Sequence, residues 1–483
     1  MCKGPDLKAV LSVGGEALDP AVEAVGGVKP LPTFTRREIE EARHDLVIIE
    51  DRVYDAARFR WAHPGGAVFV AMFGGRDGTL AFQSYHMREF PHGKMAEYLV
   101  GTLDVTEEPV AYDAAHLELS KKLAPVLARR GGSFAPRAQV VKASCLMAAA
   151  VAVEAWMLCF ERTWFKSALL GLCFALIGLN VQHDANHGAM FKDGRLNEAW
   201  GLAQNWIGGS QLMWLQEHVV LHHMHTGDVD MDPDAQLAPA MRGHSKAAWY
   251  PWMRFQQFYF LVLELGYGAV PMFMSFAEVL MWKHKFESKF ALSALAWRWG
   301  LQSTALHLLF YVRMLYLPYR AALAAGGGWG DVGAELAKVA LTVGVAGGYL
   351  AFFFFLSHNF DGVQFVEGAK EGGDCAYPES SGFLKQQAAS SSNVAGAKLC
   401  VLNGGLNYQI EHHLFPRIAH SHYPRISEKV RPFVTAKGGQ YIHFDTVWDN
   451  LSSVHKYLKR FSDPLFNPVV KGPSRPTPEE MGG

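Results

Sequence analysis

The chain has 483 residues, half of them hydrophobic, and a formal net charge of −1. Such a length exceeds one ordinary core and implies two or more folding units, while the balanced charge leaves no electrostatic footprint for nucleic acid as a partner. Six scattered cysteines (Cys2, Cys145, Cys159, Cys173, Cys375 and Cys400) contain no CxxC pair, which argues against a disulfide or zinc framework, and the three inside apolar runs read as buried thiols.

Residues 1–35 are rich in Gly, Pro and Ala and read as a flexible leader. They lack a basic stretch followed by an apolar one, so no cleavable signal peptide is expected and the N-terminus is placed in the cytosol. Residues 36–108 read as a small soluble α+β unit. Leu46-Val47-Ile48-Ile49 and Val53-Tyr54 flank a turn at Glu50-Asp51-Arg52 and predict a hairpin; helices are expected around 67–72 and 78–87.

Within this unit His63-Pro64-Gly65-Gly66 predicts a tight turn whose glycines let backbone approach a flat ligand. A second histidine, His86, follows in Ser84-Tyr85-His86. Two neutral imidazoles can hold a haem iron from opposite sides and leave no open position, which suits electron transfer. His63-Pro64-Gly65-Gly66 alone is compatible with a plain loop. The second histidine, the strand end at 53–55 and the Gly74-Gly75-Arg76-Asp77 turn weigh against that. The stretch resembles cytochrome b5, and the resemblance implies haem b with His63 and His86 as axial ligands.

A mixed, polar stretch, 109–138, reads as a connector. From Val140 the character changes: 140–160, 167–181, 298–318 and 337–357 are apolar runs close to the length that crosses a hydrocarbon core of about 30 Å. A fifth run, 256–282, is interrupted by Glu264, Pro271 and Glu278 and is expected to cross an even number of times, as an interfacial segment or a re-entrant hairpin. Four crossings from a cytosolic N-terminus deliver every histidine cluster to one membrane face. Residues 466–483 read as a disordered tail.

Of the 21 histidines, eight stand in or beside three short clusters. The first is His183-Asp184-Ala185-Asn186-His187, where positions i and i+4 of a helix share a face and both imidazoles can converge on one ion. The second, His218-Val219-Val220-Leu221-His222-His223, puts His218 and His222 on one face with His223 beside them. The third is Gln409-Ile410-Glu411-His412-His413, and His358 stands alone in Ser357-His358-Asn359. A single histidine at a helix end is usually an interfacial hydrogen-bonding residue, but imidazoles gathered at a membrane boundary carry a desolvation cost that function must justify. Eight exceed the four ligands of one zinc; two ions with nitrogen-rich shells fit, and iron accepts imidazole.

Three lesser features accompany the clusters. Asp228, Asp230, Asp232 and Asp234 lack the glycine and terminal glutamate of a calcium loop and read as a solvated turn or as support for ligands. Trp206, Gly208-Gly209 and Trp214 suit an acyl tunnel or core packing equally. Asn186, Asn359 and Glu411 are candidate partners that orient imidazoles.

These histidine clusters resemble the three histidine boxes of membrane fatty acid desaturases. Gln409 in the first place of the third box, with a fused b5-like unit, is similar to the front-end subgroup, and residues 40–460 share the likeness. The resemblance implies a multi-domain chain: an α+β haem domain (36–108), then an all-α membrane desaturase domain (139–465) with about four transmembrane helices and a cytosolic histidine-rich cap. It implies His183, His187, His218, His222, His223, His358, His412 and His413 as ligands of two iron ions, and leaves open whether Gln409 touches metal or only orients a neighbour. The second box has three residues between its first two histidines where many relatives have two. The implied reaction uses O2 and electrons relayed from NAD(P)H through a cytochrome b5 reductase and the haem, and removes two hydrogens from adjacent methylenes of a lipid or acyl substrate in the endoplasmic reticulum membrane. The wording around the boxes looks most like Δ4 and Δ5 desaturases of marine microalgae, with Δ4 action on a C22 polyunsaturated chain expected first and Δ5 on C20 second. A sphingolipid desaturase, an acyl hydroxylase and a non-catalytic haem- and zinc-binding membrane protein remain alternatives.

Overall fold

A computed structural model describes residues 30–42, 45–269, 294–366 and 382–466. The leader up to residue 29, Cys2, Cys375, Pro271, Glu278 and the tail from 467 lie outside them.

The N-terminal unit is a four-stranded sheet in the order β1 (Thr33–Phe34), β4 (Leu99–Leu103), β3 (Arg52–Asp55), β2 (Leu46–Ile49). The expected hairpin is present, with Leu46 opposite Asp55 and Ile49 opposite Arg52. Arg52 belongs to the strand, so the turn is only Glu50-Asp51; Glu50 takes a left-handed φ of 58° to close it. Helices Ala67–Phe73 and Thr79–His86 follow, as expected.

The connector is more structured than its composition suggested. Asp113 caps a helix, Ala114–Ala128, by accepting from the amides of Ala115 and His116. Leu119, Leu123 and Leu127 recur every fourth residue and are buried against Ile410, Leu414 and Phe415 of the third histidine cluster. His116 Nε2 donates to the Leu414 carbonyl at 2.8 Å.

Among the described residues three helices are long and apolar enough to cross a membrane: Arg137–Cys159, Trp164–Asn186 and Trp329–His358. The first buries little of itself and leaves Val141, Val151, Trp156 and Leu158 exposed, the face a lipid-contacting helix presents. Cys145 and Cys159 lie on that helix and are exposed, so only Cys173 and Cys400 among the described thiols are buried. Among the described residues no protein covers that face, and an apolar run alone does not say whether it will be covered. The expected span at 298–318 is helical, from Ala294–Tyr311 on through Val312–Tyr316 to Leu317–Ala324. It is not among the three, because Gln302, Ser303, His307 and Arg313 lower its hydropathy. Gln256–Tyr267 is one helix packed on Val447–Phe461 and Trp329–His358; residues 270–282 are outside the described residues.

Small residues set the close approach of the spans. A Cβ on Gly171 would meet the Thr342 carbonyl at 2.5 Å, and one on Gly347 would meet the backbone of Gly268 at 2.1 Å. Thr342 Oγ1 donates to the Ser167 carbonyl at 2.9 Å, tying the second span to the third. Two short parallel strands, β5 (Ser392–Val394) and β6 (Ile442–Phe444), brace the segment that carries the third cluster.

Candidate metal centres

In the N-terminal unit His63 and His86 face each other with ring centres 6.0 Å apart. Two imidazoles bound to one ion from opposite sides, at about 2 Å each, place their ring centres about 6 Å apart. His63 Nδ1 donates to the Gly66 carbonyl (2.9 Å) and His86 Nδ1 to the Phe82 carbonyl (3.0 Å), which leaves both Nε2 atoms for a shared ligand. Burial lowers both imidazoles, His86 to about 3, so each is neutral and able to bind iron at physiological pH. Gly65 is required where it stands: a Cβ there would lie 2.8 Å from His63 Cε1. These residues fit a haem.

The three histidine clusters, far apart in sequence, meet in one buried cavity floor. Ligand-capable atoms of His183, His187, His218 and His412 lie within 4.8 Å of one another, and those of His222, His358 and His413 form a second such group. His223 Nε2 is 3.2 Å from His218 Nε2 and 3.1 Å from His412 Nε2. Two nitrogens held at about 2 Å by one ion lie about 3 Å apart, so these separations suit ligands of a common metal. The isolated His358 is thus a full member of the cluster, 4.8 Å ring to ring from both His222 and His413.

Within the second cluster His218 and His222 stand together, as expected: their ligand-capable atoms and one of Asp234 lie within 4.8 Å of one another, and their rings stack 5.2 Å apart. His223 stands beside them, its Nε2 meeting that of His218. Leu215–His222 bonds i to i+5 instead of i to i+4, the wide turn by which a helix absorbs one more residue. A similar wide turn, Gly178–Gln182, directly precedes His183.

Five of the eight imidazoles have Nδ1 occupied by a fixed partner, which turns Nε2 inward. His187 shares a hydrogen bond with Tyr85 Oη (2.9 Å) and His412 with Tyr423 Oη (3.0 Å). His358 Nδ1 donates to the Ser390 carbonyl (3.0 Å) and His413 Nδ1 to Gln387 Oε1 (3.0 Å), with Thr226 Oγ1 also 3.0 Å away. His222 Nδ1 is paired with Asp232 at 2.9 Å and Asp234 at 3.0 Å. Two members of the aspartate run therefore hold a clustered imidazole, while Asp230 pairs with Lys246 at the surface. Burial alone would lower His222, yet the two aspartates carry it above its ordinary value. Burial leaves His218, His223, His412 and His413 well below theirs.

Asn186, Asn359 and Glu411 do not orient imidazoles. Asn186 bonds to Gln182 and Gln211, Asn359 to the Phe355 carbonyl, and Glu411 to Asn393 and Tyr441. Adjacency in sequence to a histidine suggested these three, but the partners arrive from elsewhere in the chain. Tyr85, Thr226, Gln387, Ser390 and Tyr423 carried no sequence signal, except that Tyr85 directly precedes His86. Gln409 Nε2 is 2.9 Å from His358 Nε2 and 3.1 Å from His413 Nε2, and its Oε1 is buried without a partner.

Several inward nitrogens are buried with no hydrogen-bond partner: both of His183, Nε2 of His187 and Nε2 of His222. Buried nitrogens without partners are costly unless a ligand satisfies them, and the donor set, imidazole nitrogens, suits iron. A cavity of about 160 Å³ leads to His183 and His218 between the second and third spans, lined by Phe174, Leu179, Trp214, Leu350 and Phe354. Gly208 and Gly209 also line it. Trp206 instead packs in the core, 3.5 Å beneath the Arg313 guanidinium.

The haem unit docks against this centre. Val68, Ala71 and Met72 pack on Leu212, Leu215, Val219 and Val220 of the second-cluster helix. The Gly194 amide donates to the Pro64 carbonyl at 3.3 Å, and a Cβ on Gly194 would lie 2.3 Å from the Gly65 backbone.

A family model described as fatty acid desaturase matches residues 162–445, and one described as cytochrome b5-like haem/steroid binding domain matches 37–104. An acyl-lipid (7-3)-desaturase of Rebecca salina is 44% identical, over 89% of this chain and 94% of that protein. A second, from Diacronema lutheri, is 43% identical over 91% and 96%. An acyl-lipid (8-3)-desaturase of Physcomitrium patens is 27% identical over 86% and 87%.

Proposed function

The chain belongs to the fatty acid desaturase family, as an oxygen-dependent membrane oxidoreductase with a fused haem domain, and from that premise we propose that it inserts a double bond at carbon 4 of a C22 polyunsaturated acyl chain. The observation that carries this reading is the identity of 43–44% to two proteins named (7-3)-desaturases, against 27% to the moss (8-3)-desaturase. We read (7-3) as a new bond three carbons toward the carboxyl end from one at carbon 7.

We assign His183, His187, His218, His223 and His412 to one iron and His222, His358 and His413 to the other, with Gln409 Oε1 as a further donor to that second iron. That assignment exchanges the amide's nitrogen and oxygen, atoms that hydrogen-bonding context alone distinguishes. Two iron ions there supply oxygen activation and removal of hydrogen from adjacent methylenes. The protein's part is positioning. The cavity walls of Phe174, Leu179, Leu350 and Phe354 hold the acyl chain dry beside His183 and His218, and the Nδ1 partners keep each ligand ring from turning. His63 and His86 hold haem b in a domain of residues 36–108, joined through 109–138 to a desaturase domain of 139–465. Electrons come from NAD(P)H through a cytochrome b5 reductase, at the cytosolic face of the endoplasmic reticulum.

Displacing the substrate by one carbon moves it only about 1.3 Å, close to the tolerance of reactive geometry, so a small change in the cavity can shift the bond to carbon 5. The test supplies Δ7 C22 and Δ8 C20 acids separately to a host expressing the chain and locates new bonds by mass spectrometry. Carbon-4 bonds in the C22 acid are expected. A carbon-5 bond in the C20 acid alone would assign the protein to the alternative Δ5 class.

A further inference from the structure

His86 and His187 belong to different centres, yet a single residue joins them. Tyr85 is the covalent neighbour of His86 at the end of helix Thr79–His86, and its hydroxyl lies 2.9 Å from His187 Nδ1. The rings of Tyr85 and His187 are 6.3 Å apart, tilted by 32°. On the far side, His187 Nε2 points into the histidine cluster with no hydrogen-bond partner. His86 Nδ1 is held by the Phe82 carbonyl, so its Nε2 faces His63. The line from one centre to the other therefore consists of the His86 ring, one peptide unit, the Tyr85 ring, one hydrogen bond and the His187 ring.

The surroundings hold this line in place. Phe69 packs on Tyr85 with ring centres 6.1 Å apart, and its ring edge lies 3.7 Å from where a Cβ on Gly188 would stand, one residue past His187. Tyr85, half-buried, also packs on the apolar seam of Val68, Ala71 and Met72 against the second-cluster helix. A tyrosine buried only for packing could be phenylalanine. Here the hydroxyl meets the one ring nitrogen that a metal-bound His187 leaves free.

We infer that Tyr85 is a positioning residue that couples the haem to the histidine-held metal pair, carrying electrons between them through its hydrogen bond to His187. The inference rests on the metal and haem assignments proposed above. Each passage oxidises the haem iron by one electron and reduces the metal pair by one, while Tyr85 keeps its phenolic proton. Two passages and two protons, with the two substrate hydrogens, convert O2 to two waters.

The test is Tyr85→Phe in the full-length chain, which keeps the ring and removes the hydroxyl. Haem and non-haem iron per chain and the haem midpoint potential are measured first. The haem is then reduced anaerobically with dithionite, mixed with oxygen and a polyunsaturated acyl substrate, and its reoxidation followed by stopped-flow absorbance. An iron-depleted sample supplies the background rate. Reoxidation slower by about tenfold, the scale on which loss of a ligand's outer hydrogen bond acts, with both metal contents and the potential unchanged, is the expected result. An unchanged rate, or a slower rate explained by lost iron or a moved potential, overturns the inference and leaves the site assignment standing. A wild-type chain without iron beyond the haem would instead sink the site assignment, and this inference with it.

Discussion

Gln409 Nε2 stands 2.9 Å from His358 Nε2, so the one of the eight converging histidines outside every cluster meets the one glutamine inside them. Since His222, His358 and His413 lie within 4.8 Å of one another, His358 is expected to matter as much as any clustered histidine. His358→Ala should abolish product as fully as His222→Ala, with the protein still accumulating in membranes by immunoblot. Near-normal product would return His358 to an interfacial role. Gln409→Leu should lower iron content as well as product, because it removes the oxygen that suits the second group.

Asp232 holds the His222 ring at 2.9 Å and is itself anchored by the Gly227 amide at 2.8 Å. Asp232→Asn keeps the shape and loses the charge. Iron retention against a chelator should weaken by about 10–100-fold, with the haem spectrum intact. Equal retention in variant and wild type would show that Asp234 alone suffices.

Gly194 sits under the His63-Pro64-Gly65-Gly66 turn, where a Cβ would lie 2.3 Å from the Gly65 backbone. Gly194→Ala should wedge the domains apart at a cost of about 1–3 kcal/mol. The haem spectrum is expected to survive while product falls, since the haem ligands are untouched and only docking is disturbed. Loss of the spectrum would mean that the turn, not the interface, absorbs the strain.

His63→Ala in the full chain should eliminate the low-spin b-type spectrum and desaturation together, and His86→Ala should do the same. A retained spectrum in either variant would remove that residue as an axial ligand.

Glu154 on the first span makes a bidentate ion pair with Arg313, and both side chains are largely buried. Glu154→Ala leaves the guanidinium with the Trp206 ring and carbonyl and the Phe310 ring but no carboxylate beside it, a loss of about 3–5 kcal/mol for a buried pair. A lower thermal unfolding midpoint in detergent is the readout. Little change would mean that Arg313 finds water once the carboxylate is gone.

Chemistry that depends on residue type and local spacing was legible in the sequence. His63-Pro64-Gly65-Gly66 and His86 announced paired imidazoles, His183 and His187 share a face because an α-helix repeats every 3.6 residues, and the Leu46–Tyr54 pattern produced the hairpin it predicted. Apolar runs marked where membrane helices begin, because a hydrocarbon core demands uninterrupted length. The tertiary structure decided what depends on approach through space. Cys145 faces outward because, among the described residues, nothing packs on its side of the helix, a fact its own apolar stretch cannot record. His218 meets His223 as well as His222 where a widened turn changes the helical repeat. Tyr85, Gln387 and Tyr423 reach His187, His413 and His412 only after remote segments are packed together, since a hydrogen bond requires atoms within about 3 Å and carries no trace in sequence order.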